Sequence, residues 1–173
     1  MKLHWIKVNN SSHILRIIRD SSSTEEIILE TKSYLIHDLM HYCVESVGNF
    51  QNAFWGSLEK GKTLADLADR QNPPSDPELQ IVESIVGPMQ SLWKKSIDEK
   101  IVFERLQEIS ILSDPSLLIQ TIHSKMDAVW GKWRSTKFGE TMELIWPSKK
   151  VLSKNRFFGE EKEAKGIKPE KNI

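Results

Sequence analysis

The 173-residue chain has the length of one domain, and its 39% apolar and 28% charged residues are typical of a soluble globular protein. Lys and Arg balance Asp and Glu at 24 each, so the overall charge gives no reason to expect nucleic acid or a membrane as a partner. No stretch approaches the roughly 20 apolar residues that span a bilayer, and the opening residues lack the apolar run of a secretory signal. The single cysteine, Cys43, excludes an intrachain disulfide, so we expect a cytoplasmic protein.

The first thirty residues show strand features. Residues 3–8 and 13–19 are rich in β-branched and aromatic side chains, and the polar stretch "NNSS" between them suits a turn. A third candidate strand, "TEEIILET", follows "DSSS", although its glutamates would also suit a helix. We predict an antiparallel meander of three strands.

Helical patterns follow the meander. We predict a helix over residues 33–47, capped by Ser33 and ended by Gly48, and a shorter helix over "NAFWGSLEK". One or two further turns are expected in "KTLADLADR". The prolines of residues 71–77 cannot continue a helix and therefore predict a loop.

Three longer helices are predicted beyond that loop. The first begins at Glu78 and contains Gly87-Pro88, which predicts a kink or a break. The second spans residues 98–112. The third spans residues 115–135 and is preceded by the capping residues of "SDP".

The segment "ETMELIWP" alternates like a strand, with Met142, Leu144 and Trp146 on one side. A lone strand is not stable in water, and its expected partner is the N-terminal meander. We therefore predict an α+β fold over residues 1–147, a single domain in which a small antiparallel sheet from both ends packs against four or five helices. Residues 148–173 hold eight Lys or Arg and four Glu, and we expect a flexible basic tail.

The candidate site is the stretch His37-Asp38-Leu39-Met40-His41. It differs by one methylene from H-E-x-x-H, in which two histidines one helical turn apart bind zinc and the glutamate is the general base. A helical wheel places the apolar side chains of this helix on one face. The opposite face holds Tyr34, His37, Asp38, His41 and Glu45.

This spacing predicts a site for zinc or another divalent metal, with His37 and His41 as ligands and Asp38 as the base or as an orienting group. Asp38 reaches about 1.5 Å less far than a glutamate. A catalytic zinc also takes a third protein ligand. Glu59, on the next helix, is the candidate, and Glu83 and His123 are more remote ones. Glu45 lies about 12 Å along the helix from His37, too far for one ion.

Other interpretations of this polar face remain open. The face is either solvated, with Asp38 or Glu45 paired to His41, or buried under the "FWG" helix as a satisfied polar network. A ligand site without metal is a further alternative. The residues thus support two functions: a non-catalytic binding or interaction module for an unknown protein or small-molecule partner, and a metal-dependent, zincin-like hydrolase.

The stretch "FWGSLEKG" adds two candidate residues for a ligand pocket. Trp55 is followed by Gly56, and glycine at such a position indicates close approach by another element. These residues would form a pocket wall opposite His37 and His41, or else simply pack between helices. With Tyr34 and Glu45 they complete the predicted pocket.

Three segments, "HDLMHYCVE", "FWGSLEKG" and "VWGKWRSTKFGETMELIWP", together resemble a group of small bacterial and plant proteins of unknown function. That group carries an H-D-x-x-H-x-x-V-E helix, a G-F-W-G element and a closing W-x-x-W…G…L-x-W-P segment. The resemblance covers most of residues 33–147 and departs at Ala53, where the group has glycine. It implies no activity, substrate or cofactor. It implies that these residues belong together: His37, Asp38, His41, Glu45, Trp55 and Gly56.

Overall fold

A computed structural model describes residues 1–68, 76–109 and 113–147 of the chain. The described part contains four strands, one turn of π-helix and six α-helices, which confirms the predicted α+β fold and adds one helix to the four or five expected. In chain order they are β1 (Lys2–Lys7), β2 (Ser12–Ile18), β3 (Thr24–Glu30), the π-helical turn (Thr31–Leu35), α1 (Ile36–Gly48), α2 (Phe54–Glu59), α3 (Leu64–Ala68), α4 (Pro77–Trp93), α5 (Glu99–Gln107), α6 (Pro115–Ser135) and β4 (Thr141–Ile145).

The sheet is antiparallel throughout, in the order β3-β2-β1-β4. The first three strands form the predicted meander, and the third of them is a strand rather than a helix. The closing strand returns to pair with β1, as predicted, so that Trp5 lies between Leu15 on one side and Met142 on the other. The two ends of the described chain therefore meet in one sheet.

The core lies between one face of the sheet and the helices. Trp5, Leu15 and Leu144 point into it from three strands, because alternate residues of a strand share a face. Helix α1 lies at the centre of the helical layer and packs on both α4 and α6. The opposite face of the sheet carries ion pairs and exposes Ile28.

Both predicted boundaries of the first helix differ from the structure. Ser33 lies in the π-helical turn, where its hydroxyl donates to Glu30 instead of capping α1. Gly48 is the last helical residue, and Asn49 adopts the left-handed conformation with φ of 55°. Asparagine tolerates that conformation, so the turn does not require glycine there.

The later helices follow the predicted signals except at two places. The first is α5, which ends at Gln107, whereas the predicted helix continues to residue 112. The Asp114 carboxylate accepts a hydrogen bond from the Leu117 amide, so the cap and Pro115 begin α6 as expected. The second is α4, which continues through Pro88, so the alternative of a break there is wrong. Burial of the flanking Val86 and Met89 stabilises the helix on both sides of the proline.

Some predictions fall outside the described residues. They include most of the proline loop, residues 110–112 at the end of the helix predicted over 98–112, and the basic tail of residues 148–173. No helix in the described ranges is both long enough and apolar enough to cross a membrane.

Candidate metal site

The polar side chains near the start of α1 line a cavity of about 370 Å³. His37, Asp38 and His41 come from α1, and Glu83 comes from α4, which packs beside it. The remaining walls are apolar. They are formed by Phe54, Leu67 and Leu79.

Ligand atoms of three of these side chains lie close together. One ligand atom from each of His37, His41 and Glu83 lies within 4.8 Å of the other two, a set that can hold a metal ion. The two imidazole rings are 4.6 Å apart between centroids, and His41 Nε2 is 3.3 Å from Glu83 Oε1. Two ligand atoms about 2.0–2.1 Å from a zinc ion at a tetrahedral angle lie about 3.3–3.5 Å apart, so this last pair already has suitable spacing.

His41 is held from its other side by Glu45. His41 Nδ1 is 3.1 Å from Glu45 Oε1, and the second carboxylate oxygen, Oε2, accepts a 2.8 Å hydrogen bond from the Trp55 amide. Glu45 is completely buried and His41 nearly so. The face predicted to be polar is therefore buried at this end, in agreement with the alternative of a satisfied network under the "FWG" helix.

His37 has a corresponding contact on its own Nδ1. That nitrogen is 3.3 Å from Oε1 of Gln90, which lies about two turns beyond Glu83 on α4. An imidazole that donates from Nδ1 keeps a lone pair on Nε2. Both histidines can thus present Nε2 to the shared point while Nδ1 contacts an oxygen behind it.

The electrostatics of the cluster follow from burial and these contacts. Burial alone would lower the pKa of His41, but hydrogen bonds and charge interactions with Glu45 and Glu83 raise it to about 9. The hydrogen bond with His41 lowers the pKa of Glu83. Burial, and then the neighbouring His41, lower the pKa of His37.

The pKa of the Asp38 carboxyl is shifted mainly by burial. Burial raises the pKa of its carboxyl to about 7, against an opposing effect of His41. A carboxylate that lines a cavity is placed to accept a proton from a molecule bound there, which makes Asp38 the candidate general base. Asp38 lines the same cavity as the three candidate ligands.

Glu59, the predicted third ligand, is not part of this cluster. Its carboxylate accepts a 3.1 Å hydrogen bond from Trp146 Nε1 and lies 3.9 Å from the N-terminal amine. Glu83 is the carboxylate beside the two imidazoles, and His123 is exposed and paired with Asp127. The packing of α1 against α4, rather than the chain order of α1 and α2, determines which carboxylate lies beside the two histidines.

The predicted pocket residues have different surroundings. Tyr34 is 49% exposed, and Trp55 is fully buried against Trp5 rather than lining the cavity, which Phe54 does instead. Gly56 is approached closely, as its sequence context indicated. A Cβ atom there would overlap the backbone carbonyl of Gln51.

Comparison of the chain with protein-family models, with curated proteins and with solved structures gives no significant match.

Proposed function

We propose that the protein is a metal-dependent hydrolase in which His37, His41 and Glu83 bind a divalent ion, with zinc as the first candidate. The observation that carries this proposal is the convergence of two imidazoles and one carboxylate within 4.8 Å at the wall of a cavity. Two histidines and one glutamate are a ligand set of catalytic zinc, which leaves the fourth position for water or substrate.

Asp38 supplies the general base in this proposal. It lies between the two histidines in sequence and beside them in the cavity. A base positioned there can take a proton from a metal-activated water. The apolar walls formed by Phe54 and Leu79 would contact the uncharged part of a substrate.

Metal content after purification without a histidine tag tests the binding step. We expect one zinc per chain in the parent protein and none in His41→Ala. Glu83→Gln should lower zinc affinity by more than the roughly 10–100-fold that follows loss of an outer partner. Glu104→Gln, an exposed acid paired with Lys100 on α5, is the matched control and should keep full metal content. A parent protein that binds no zinc or other divalent ion contradicts the proposal.

Turnover tests the catalytic step. Zinc-loaded protein is incubated with activated ester, phosphoester and peptide substrates, and Asp38→Asn is compared with the parent. We expect Asp38→Asn to retain zinc but to lose about 100- to 10,000-fold in kcat on the substrate class that reacts. Equal turnover by the two proteins would exclude Asp38 as the base.

A non-catalytic binding module is the second candidate, and one observation favours it. His41 contacts Glu45 and Glu83 directly, so its two nitrogens have partners without any metal. Such a closed network is a stable arrangement for a buried histidine. Stoichiometric zinc without turnover on all three substrate classes, or no metal at all, would favour this candidate over the hydrolase.

A further inference from the structure

We infer that Glu45 is the positioning residue of the metal site, and that it directs His41 to bind the ion through Nε2. This inference rests on the proposed metal binding, since it concerns which nitrogen of His41 faces the ion. Glu45 does not contact the cavity and acts only through the imidazole.

Each oxygen of the Glu45 carboxylate has its own partner. Oε1 lies 3.1 Å from His41 Nδ1, and Oε2 accepts the Trp55 amide at 2.8 Å. Metal binding would release one proton from the His41 ring. With the other proton fixed on Nδ1 by Glu45, the lone pair would then be on Nε2, the atom that faces Glu83.

A carboxylate is required because its neighbours all donate. Glutamine has one acceptor oxygen and one donor nitrogen in place of the two acceptors. In Glu45→Gln, the amide nitrogen would face either the imidazole N–H or the Trp55 N–H. One donor would then lose its partner in a fully buried position, and the ring of His41 would lose its fixed orientation.

The "FWG" segment acquires a function from this arrangement. The Trp55 amide of this segment donates to the Glu45 carboxylate, which in turn contacts His41. Gly56 has no side chain, so the backbone of the segment can lie against Gln51. These contacts, from Trp55 to Glu45 and from Glu45 to His41, connect the "FWG" segment to the histidine helix. The aromatic side chain of Trp55 itself contacts Trp5 and takes no part in it.

The test uses the full chain titrated with zinc, with ¹⁵N NMR of the histidine rings. In the zinc-loaded parent we expect His41 to coordinate through Nε2 and to retain a proton on Nδ1. We expect Glu45→Gln to weaken zinc binding by about 10- to 100-fold. Ser46→Ala, which alters the next buried polar residue of α1, should leave zinc affinity unchanged.

The possible outcomes separate this inference from the proposed function. If the parent binds no zinc, the metal site itself fails and the positioning role fails with it. If the parent binds zinc with His41 coordinated through Nδ1, the metal site stands and the positioning role is wrong. The same holds if Glu45→Gln binds zinc as tightly as the parent. Should Glu45→Gln not fold, the coordination mode in the parent alone decides.

Discussion

Burial acts on the histidines of this protein in opposite directions, depending on what lies beside each ring. His41 is buried between two carboxylates, which overcome the cost of burial and raise its pKa to about 9. His13 is buried between Thr31 and the ring of Trp133. No carboxylate of the described residues contacts it, and burial lowers its pKa to about 4. The contacts of a buried histidine, and not burial alone, therefore determine whether its pKa is raised or lowered.

His13 provides a prediction for stability against pH. Its folded pKa lies below the unfolded value of about 6.5, so the unfolded chain binds the proton more readily. The resulting stability is fully present above pH 6.5 and is lost as the pH falls towards 4. We expect His13→Gln to reduce the loss of unfolding free energy between pH 7 and 4 by about 2–3 kcal/mol.

Urea denaturation of the parent and the variant at a series of pH values measures that difference. His123→Gln, which removes an exposed histidine, is the control. Parallel pH profiles for His13→Gln and the parent would show that His13 does not contribute.

The candidate ligand residues illustrate how far single positions can be inferred from sequence. The spacing of His37 and His41 within one helix predicts their proximity directly, since residues four apart share a face. Glu83 is 42 positions beyond His41, and only the packing of α4 on α1 brings it near. Glu59 follows more closely in the chain but contacts Trp146. Tertiary contacts of this kind have no periodic signal in the sequence.

At the scale of elements, helix α1 is amphipathic in sequence yet buried around most of its circumference. The helical wheel correctly assigns Leu39, Met40 and Cys43 to the core. It cannot indicate that α2 and α4 also cover the polar side, because periodicity separates apolar from polar positions and not buried from exposed ones. Glu45, for example, lies on the polar face of the helical wheel and is nevertheless fully buried.

The tight approach of α2 to the preceding loop gives a prediction at this scale. We expect Gly56→Ala to lower the unfolding free energy by about 1–3 kcal/mol, because the new methyl group would overlap the Gln51 carbonyl, which cannot move independently of the backbone. It should also weaken zinc binding, since a shift of this backbone would move the Trp55 amide that donates to Glu45.

Gly131→Ala is the matched control. Gly131 lies in the interior of α6, and no atom of the part of the chain that the structure describes lies within 4 Å of the position of a Cβ. The substitution should therefore stabilise the protein by about 0.5–1 kcal/mol through helix propensity. Denaturant unfolding of both variants measures the contrast. An equal change in unfolding free energy for the two substitutions would contradict the idea that position 56 specifically requires glycine.

At the scale of the whole molecule, the closing strand β4 joins the last described residues to the first strand. Trp146 donates from its backbone to the Met1 carbonyl and from its ring to Glu59, and Tyr42 of α1 donates to the Ile145 carbonyl. Alternation in "ETMELIWP" predicts the strand, and the rule that a lone strand needs a partner predicts its return. The pairing with β1 rather than β3 is not encoded in that pattern, because both edges of the meander are available.

Adjacent residues of β4 test this closure. Leu144 is buried in the shared core, whereas Ile145 is 52% exposed on the outer face. We expect Leu144→Ala to cost about 2–5 kcal/mol of unfolding free energy and Ile145→Ala less than about 1 kcal/mol. Guanidinium unfolding compares them. Similar costs at both positions would contradict the inward orientation of Leu144.

Metal binding should be visible in the stability of the entire fold, because the candidate ligands come from two helices that must be packed together for the site to exist. A ligand that binds only the folded state adds about 2.7 kcal/mol of unfolding free energy at a concentration one hundred times its Kd. For a chain of this size, that corresponds to a rise in Tm of about 5–10 °C. We expect this rise when zinc is added to the parent and its reversal by a chelator, as measured by calorimetry. His41→Ala should show no rise, and an equal rise in that variant would place the zinc elsewhere on the protein.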